Sequence, residues 1–302
     1  LFEEKEVDLK YNETNSFWFT VTTDTEVKPG VYPLNISVVV NNETISELTC
    51  EIEVSALTIE EKNDFPVTHW FYADALCDWY EVEPFQEDFW EIAENYMKDL
   101  VAHGINVIHS PIFTPPTDGI KRPNQLLKVR EKEAGNYIFD WSDVKKWIEM
   151  AQSCGMEYFE WAHLFSQWGV KNAIRIYENY DGIYEDRLLW PPETSADSDT
   201  YQNFLSQFLP EFKQVLEEEE ILEKSFFHLS DEPHGEEHLQ NYKKAREILK
   251  DIAPWMEVMD ALSEKEYAEK GLTDMPIASI RTALEFKQSD IPHWAYFCCG
   301  PR

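Results

Sequence analysis

The sequence predicts an α/β protein: a (β/α)8 barrel of the TIM type, expected to lack its last unit in this chain, preceded by the remnant of an N-terminal β-sandwich. Three observations carry this expectation. Short runs that are apolar on both faces recur from Val67 onward, as strands buried in a parallel sheet must be. Stretches of helical period lie between them, the alternation that marks βα units. Before Leu57 the rhythm is the two-residue alternation of half-buried strands.

Residues 1–58 read as the C-terminal part of the sandwich. FWFTVTT alternates from Phe17, the KPG of Lys28 to Gly30 marks a turn, VYPLNISVVV follows, and NNET at Asn41 to Thr44 turns the chain into ISELTCEIEVSAL. Three strands cannot close two sheets, so either earlier strands are missing from this chain, whose first residues LFEEKEVDLK lack a starting Met, or these three lean on the next domain. The linker TIEEKNDFP then leads into residues 66–302, the expected barrel domain.

Seven strand candidates follow: residues 67–76, 105–113, 156–165, 225–233, 256–262, 276–280 and 293–299. Between them three apolar stripes have helical spacing. One joins Phe89, Ile92, Ala93, Tyr96, Met97 and Leu100; a second joins Val144, Trp147, Ile148 and Ala151; a third joins Leu239, Tyr242, Ala245, Ile248 and Leu249. Ser263 opens a capping-box match, SEKE, with Glu266 at its fourth position. No eighth strand follows CCGPR, so a C-terminal truncation or an open barrel is expected.

The 302 residues are 43% hydrophobic and 14% aromatic, enough for a large core. The formal charge of −32, from 58 acidic and 26 basic residues, argues against nucleic acid and anionic surfaces as partners. No apolar run of about 18 residues would insert into a membrane, and no signal-peptide pattern opens the chain. The compartment, cytoplasmic or secreted in a bacterium, stays open. The five Cys, odd in number and without zinc-type spacing, are expected to be mostly buried thiols.

In a βα barrel the chemistry sits where the strands end, so the polar residues closing each strand are the candidates. They are His69, Trp70, Tyr72 and Asp74, then His109, then Glu160, Trp161 and His163, then His228, Asp231 and Glu232, then Asp260, then Trp294 and Tyr296. Rings beside carboxylates suit a sugar, which stacks one face and hydrogen-bonds its hydroxyls. Satisfied core residues are the plainer explanation for any single His or Trp. The Asp231-Glu232 pair resists that explanation, because adjacent carboxylates after FFHL repel each other unless a ligand uses them. Its structural alternative is an Asp231 helix N-cap with Pro233 in the first turn and Glu232 a solvated acid.

Many retaining glycosidases place an acid on strand four and a carboxylate nucleophile on strand seven, yet HWAYFCCGP offers no carboxylate. In substrate-assisted hydrolysis the sugar's 2-acetamido oxygen attacks instead, with an Asp beside the acid to hold it.

The motifs THWFYADALCDWY, INVIHSPIFTPP, EYFEWAHLFSQWG, FHLSDEP and HWAYFCCGP resemble the catalytic region of glycoside hydrolase family 123 and the related domain-of-unknown-function family 4091. The resemblance extends over nearly the whole chain. It implies a retaining (β/α)8 hydrolase of β-linked N-acetylhexosamine, N-acetylgalactosamine favoured, with an oxazolinium intermediate, no cofactor and no metal. The family's Asp-Glu pair falls on Asp231, as acetamide orienter, and on Glu232, as general acid and then base. Tyr296 is the candidate for an aromatic hydroxyl that helps hold the acetamide. Trp70, Tyr72, His109, His163, Asp260 and Trp294 complete the expected glycan-binding set.

Other readings compete. His234 to His238 spells H-x-x-E-H, an order some zinc hydrolases use, though Pro233 and Gly235 suggest a helix only beginning there. Cys298 and Cys299 form a vicinal pair whose thiols are expected on opposite faces of a strand. A carbohydrate-binding barrel without turnover is the alternative of a different class, and retention of both Asp231 and Glu232 weighs against it. The loops Thr114 to Tyr137 and Ser166 to Ser198, the second with Trp168, Tyr177, Tyr180, Tyr184 and Trp190, are expected to build a substrate cleft, with contacts in a homo-oligomer as a further use.

Overall fold

The computed structural model describes residues 7–8, 10–59, 64–117, 122–179, 187–262 and 264–298. The chain divides into two units, Phe2–Phe65 and Pro66–Arg302.

In the first unit, β1 (Gly30–Val40) pairs antiparallel with β2 (Glu43–Val54). Asn41 and Asn42 both take positive φ, 50° and 67°, the geometry a two-residue hairpin turn requires and Asn tolerates. The register puts Tyr32 opposite Ile52, Leu34 opposite Cys50 and Ile36 opposite Leu48, so one face is apolar. The strand expected from Phe17 does not form: residues 13–23 join no ladder, and Trp18 is 92% exposed. A strand needs a neighbour for its backbone groups, and the hairpin supplies none to this segment.

In the second unit, β3 (Val107–Ser110), β6 (Tyr158–Trp161) and β7 (Ser225–Phe227) form one parallel sheet, and β8 (Met259–Leu262), β9 (Met275–Ser279) and β10 (Trp294–Tyr296) another. Parallel bridges from Thr68 to Val107 and from Phe227 to Val258 link them into one row in chain order. Each step of the row is made by a helical crossover, which parallel neighbours need. The crossovers are α2 (Glu87–Ala102), α3 (Ser142–Cys154), α4 (Asp199–Glu218), α5 (Gly235–Ile252), α6 (Glu266–Glu269) and α7 (Ala283–Gln288). The protein is thus a mixed α/β fold. Among the described residues no ladder joins β10 back to the Thr68 segment, so the hydrogen bonding does not close a barrel.

The segment 67–76 departs from the expected strand. Only Thr68 pairs, and α1 (Ala73–Tyr80) begins behind an N-cap Tyr72. Ala73, Leu76 and Cys77 are buried at helical spacing, a period that overrides the continuous apolar look of the run. Two elements lie outside the patterns that the sequence displays. The hairpin β4 (Lys128–Glu133) and β5 (Asn136–Asp140) occupies part of the Thr114 to Tyr137 loop, and α4 packs Tyr201, Phe204, Phe208 and Phe212 as a buried aromatic stripe. Trp190 is core rather than cleft: it is buried against Tyr201 and Phe204, and its Nε1 donates to the Ile174 carbonyl at 3.0 Å. Ser263, Tyr180, Tyr184 and Cys299 lie outside the described residues; α6 takes Lys265 as its N-cap. Of the other cysteines only Cys77 is fully buried, and Cys50 and Cys298 are exposed. Cys50 belongs to a two-stranded hairpin, too thin to bury its residues.

Parity along the strands sorts the interior. Glu160 and His228 face one side of the parallel row, while Phe159, Trp161 and Phe227 point to the other and meet Phe212 and Trp255.

Candidate active site

After β7 the chain continues beside the segment that follows β6. Leu164 N–H donates to the His228 carbonyl at 3.1 Å, Phe165 N–H to that of Leu229 at 2.8 Å, and Trp168 N–H to that of Asp231 at 3.0 Å. The turn that follows is strained. Glu232 takes φ 45°, although a residue before proline favours the extended region. α5 starts at Gly235 with His234 as its N-cap, so Asp231 is not a helix cap and Glu232 is not a first-turn acid.

Both carboxylates are half-buried and each has one directed partner. Gln167 Nε2 donates to Asp231 Oδ2 at 2.9 Å. Tyr296, reaching from β10, donates its hydroxyl to Glu232 Oε1. Burial and the neighbouring Glu232 charge push Asp231 up to about 6, against the opposing pull of Gln167 and His228. The Asp231 carboxyl therefore keeps its proton into the mildly acidic range.

Beneath the pair lies an ionic layer. His228 Nε2 meets Glu160 Oε1 at 2.7 Å and His228 Nδ1 meets Asp260 Oδ1 at 3.2 Å, with the three residues 2%, 1% and 0% exposed. Burial disfavours the His228 charge, but the two carboxylates overcome it and raise the imidazole to about 10. Glu160 is held below the usual carboxylate range: His228, His109 and Thr68 together outweigh its burial. Asp260 is pushed up by burial despite His228 and Tyr242. The remaining oxygen of Glu160 accepts from Thr68 Oγ1 at 2.5 Å and from Trp70 Nε1 at 2.8 Å. Asp260 also gathers the Leu229 and Ser230 N–H groups, at 3.0 and 3.3 Å, and the Tyr242 hydroxyl.

Trp70 is the half-exposed hub of a ring cluster. Its ring centre lies 4.7 Å from that of His109, 5.8 Å from His163, 6.1 Å from His228 and 6.3 Å from Tyr72. Burial drives His109 down to about 4, with Glu160 opposing, and drives His163 well below its ordinary value, so both imidazoles are neutral. Among the described residues, neither ring nitrogen of His163, nor Nε2 of His109, has a hydrogen-bond partner. Trp294 packs edge-on against Phe226 at 5.0 Å, one layer away from Tyr296. His69 is exposed and Asp74 is buried in the first turn of α1.

His163, His228 and Asp260 bring potential ligand atoms within 4.8 Å of one another. Both His228 nitrogens, however, already face carboxylates as donors, which leaves that ring no lone pair for a metal. His234 and His238 lie apart from this cluster. The backbone N–H of His234 donates to His238 Nδ1 at 3.1 Å, and His234 precedes the helix instead of sharing its face.

An acid pair in the turn that follows a parallel strand is a feature shared with glycosidases. Residues 70–302 match the family described as "Glycoside hydrolase 123, catalytic domain". The chain belongs to glycoside hydrolase family 123.

A solved structure agrees with the fold. A family 123 glycoside hydrolase from Clostridium perfringens, described in connection with glycolipid glycan hydrolysis, superposes with a TM-score of 0.66 at 16% identity. The likeness covers 91% of this chain and 51% of that one, so the chain spans about half of its neighbour. No curated protein matches the chain.

Two partners of these candidate residues escaped the reading of strand ends. Gln167 lies in an irregular loop, where no periodicity marks a residue as inward. Tyr242 was legible only as one apolar position on the α5 face, and its hydroxyl carries the role.

Proposed function

We propose that this glycoside hydrolase cleaves β-linked N-acetylhexosaminides, N-acetylgalactosamine foremost, with retention and by substrate-assisted catalysis. The observation that carries the proposal is the disposition of carboxylates. Glu160 and Asp260 are spent on His228, and β10 presents Tyr296 where a nucleophilic carboxylate would stand, so among the strand-end carboxylates of the described residues the adjacent pair Asp231-Glu232 is what remains for chemistry. Neighbours in sequence cannot flank an anomeric carbon as acid and nucleophile; they can serve as acetamide orienter and acid.

In this mechanism Glu232 protonates the leaving oxygen while the substrate's acetamido oxygen attacks the anomeric carbon. Asp231 holds the acetamido N–H and stabilises the oxazolinium charge. Glu232 then takes a proton from the water that opens the ring, restoring the acetamide. Trp70 is the stacking platform and Tyr72 is assigned to sugar hydroxyls, while His109 and His163, expected from the sequence to touch substrate, are only 2% and 1% exposed and are assigned to the layer packed against the Trp70 ring. Asp260, expected from the sequence to touch substrate, has a positioning role instead, since it is fully buried with its oxygens engaged. We assign the parallel row to a (β/α)8 wall and residues 1–58 to a β-sandwich module.

The test is hydrolysis of 4-nitrophenyl N-acetyl-β-D-galactosaminide beside the N-acetylglucosaminide, the plain galactoside and glycolipid glycans, the last because of the Clostridium neighbour. Cleavage confined to acetamido sugars supports the mechanism. Equal cleavage of the plain galactoside, or none of any substrate by folded protein, overturns it.

A further inference from the structure

The buried layer spans the site from the first strand segment to the turn after β7. It starts at Trp70 Nε1, passes through Glu160 to His228, and ends at Asp260, which holds the N–H groups of the two residues immediately before Asp231. No member of the central trio is more than 2% exposed, so none can reach a sugar.

The hydrogen-bond roles fix its charge. Glu160 Oε2 is filled by Thr68 and Trp70, both donors, which leaves Oε1 to accept from His228 Nε2. Asp260 Oδ1 accepts from two backbone N–H groups, so it also accepts from His228 Nδ1, and Oδ2 takes the Tyr242 hydroxyl. Only an imidazolium donates through both nitrogens. The other groups that face His228 are the neutral His163 ring at 4.6 Å, His109 and Asp231, none of which competes for those two protons.

We propose that Glu160, His228 and Asp260 are positioning residues that join the Trp70 ring and the turn bearing Asp231 and Glu232 into one unit, with a buried imidazolium as the link. The roles of Trp70 as platform and of Asp231-Glu232 as acid pair rest on the proposed function; the link itself does not. A rigid link between platform and acid keeps the sugar ring and its leaving oxygen in register, a placement to which hydrolysis rates are sensitive.

The experiment uses the whole chain labelled with nitrogen-15 at histidine and tryptophan. One of the eight histidines should remain imidazolium at pH 8, with both ring N–H protons visible, and should be the one lost in His228→Gln. Asp260→Asn should move the Trp70 indole N–H resonance, identified through Trp70→Phe, although Asp260 and Trp70 do not touch. A neutral His228 at pH 7.5, or an unmoved Trp70 signal, overturns the proposal whether or not any substrate is found. With an active enzyme the same link is read from kcat/KM: the loss in Trp70→Phe/Asp260→Asn should be at least five-fold smaller than the product of the single losses. Losses that multiply within two-fold would mean two independent sites. Should Asp260→Asn fail to fold, Glu160→Gln takes its place, read in uniformly nitrogen-15-labelled chain through the Leu229 and Ser230 amide resonances.

Discussion

Two pairs of carboxylates lie close together in the same site and have opposite fates. Glu160 and Asp260 are almost completely buried, yet they share a cation, and every oxygen has a donor. Asp231 and Glu232 are only half-buried and, among the described residues, have no cation in contact; a glutamine and a tyrosine hydroxyl are their directed partners. Burial alone therefore does not decide which acids are available for chemistry. A buried pair with a cation is neutralised internally, whereas an adjacent pair without one keeps repulsion that a substrate can relieve.

The sharpest way to break the comparison is to neutralise one member of each pair. Glu232→Gln should reduce kcat on acetamido sugars by about 10³–10⁴-fold, with a smaller loss for aryl leaving groups that need no proton. Equal losses on good and poor leaving groups would deny Glu232 the role of acid. His228→Gln leaves two carboxylates facing each other in the interior and should cost roughly 3–5 kcal/mol of unfolding free energy. The sign follows from its raised value. Its stability contribution is complete below about pH 6.5 and is lost as pH rises through about 10. Urea midpoints of the native protein should fall over that window, and those of the variant should not.

Asp231→Asn should lose about 10²–10³-fold in kcat and yet gain stability. The folded carboxyl sits at about 6 against an ordinary 3.8, so what it contributes is present below about pH 4 and lost as pH rises through 6. Removing the charge should raise stability at pH 7 by roughly 1–3 kcal/mol and leave it unchanged at pH 4. Thermal melts at the two pH values check this. A destabilised variant at pH 7 would place Asp231 among the paired acids and erase the distinction.

How much of this the sequence disclosed follows from where order is local. The strand ends and their polar residues were legible because a parallel strand is a short apolar run, and Glu160, His228 and Asp260 all stood among the candidates. Their pairing was not legible, since the barrel expectation orders the strands but does not fix the register and side-chain orientations that bring Glu160 and Asp260 onto His228. Asp260 accordingly read as a sugar contact, although its oxygens are turned to the protein. The first strand failed for a different reason: Ala73, Leu76 and Cys77 satisfy a helix as well as an apolar run, and the extended Tyr72 lets the helix begin. The Phe17 segment alternates as a strand should, but alternation promises only a face to bury and cannot supply the partner.

Tyr296 carries the smallest of these effects and tests the finest point of the acid pair. The sequence resemblance gave its hydroxyl to the acetamide, while the structure turns it onto Glu232 Oε1. A hydrogen bond to a charged group contributes roughly 1.5–3 kcal/mol, so Tyr296→Phe should lower kcat/KM by about ten-fold or somewhat more. The parameter that changes identifies the partner during turnover. If the hydroxyl serves Glu232 throughout, the loss falls on kcat and KM stays within about two-fold. If it leaves Glu232 for the acetamide when sugar binds, KM rises for acetamido substrates, and affinity for a thiazoline mimic of the oxazolinium falls with it. The second result would make the contact with Glu232 a resting position, one that keeps the acid of the cation-free pair in place until substrate arrives.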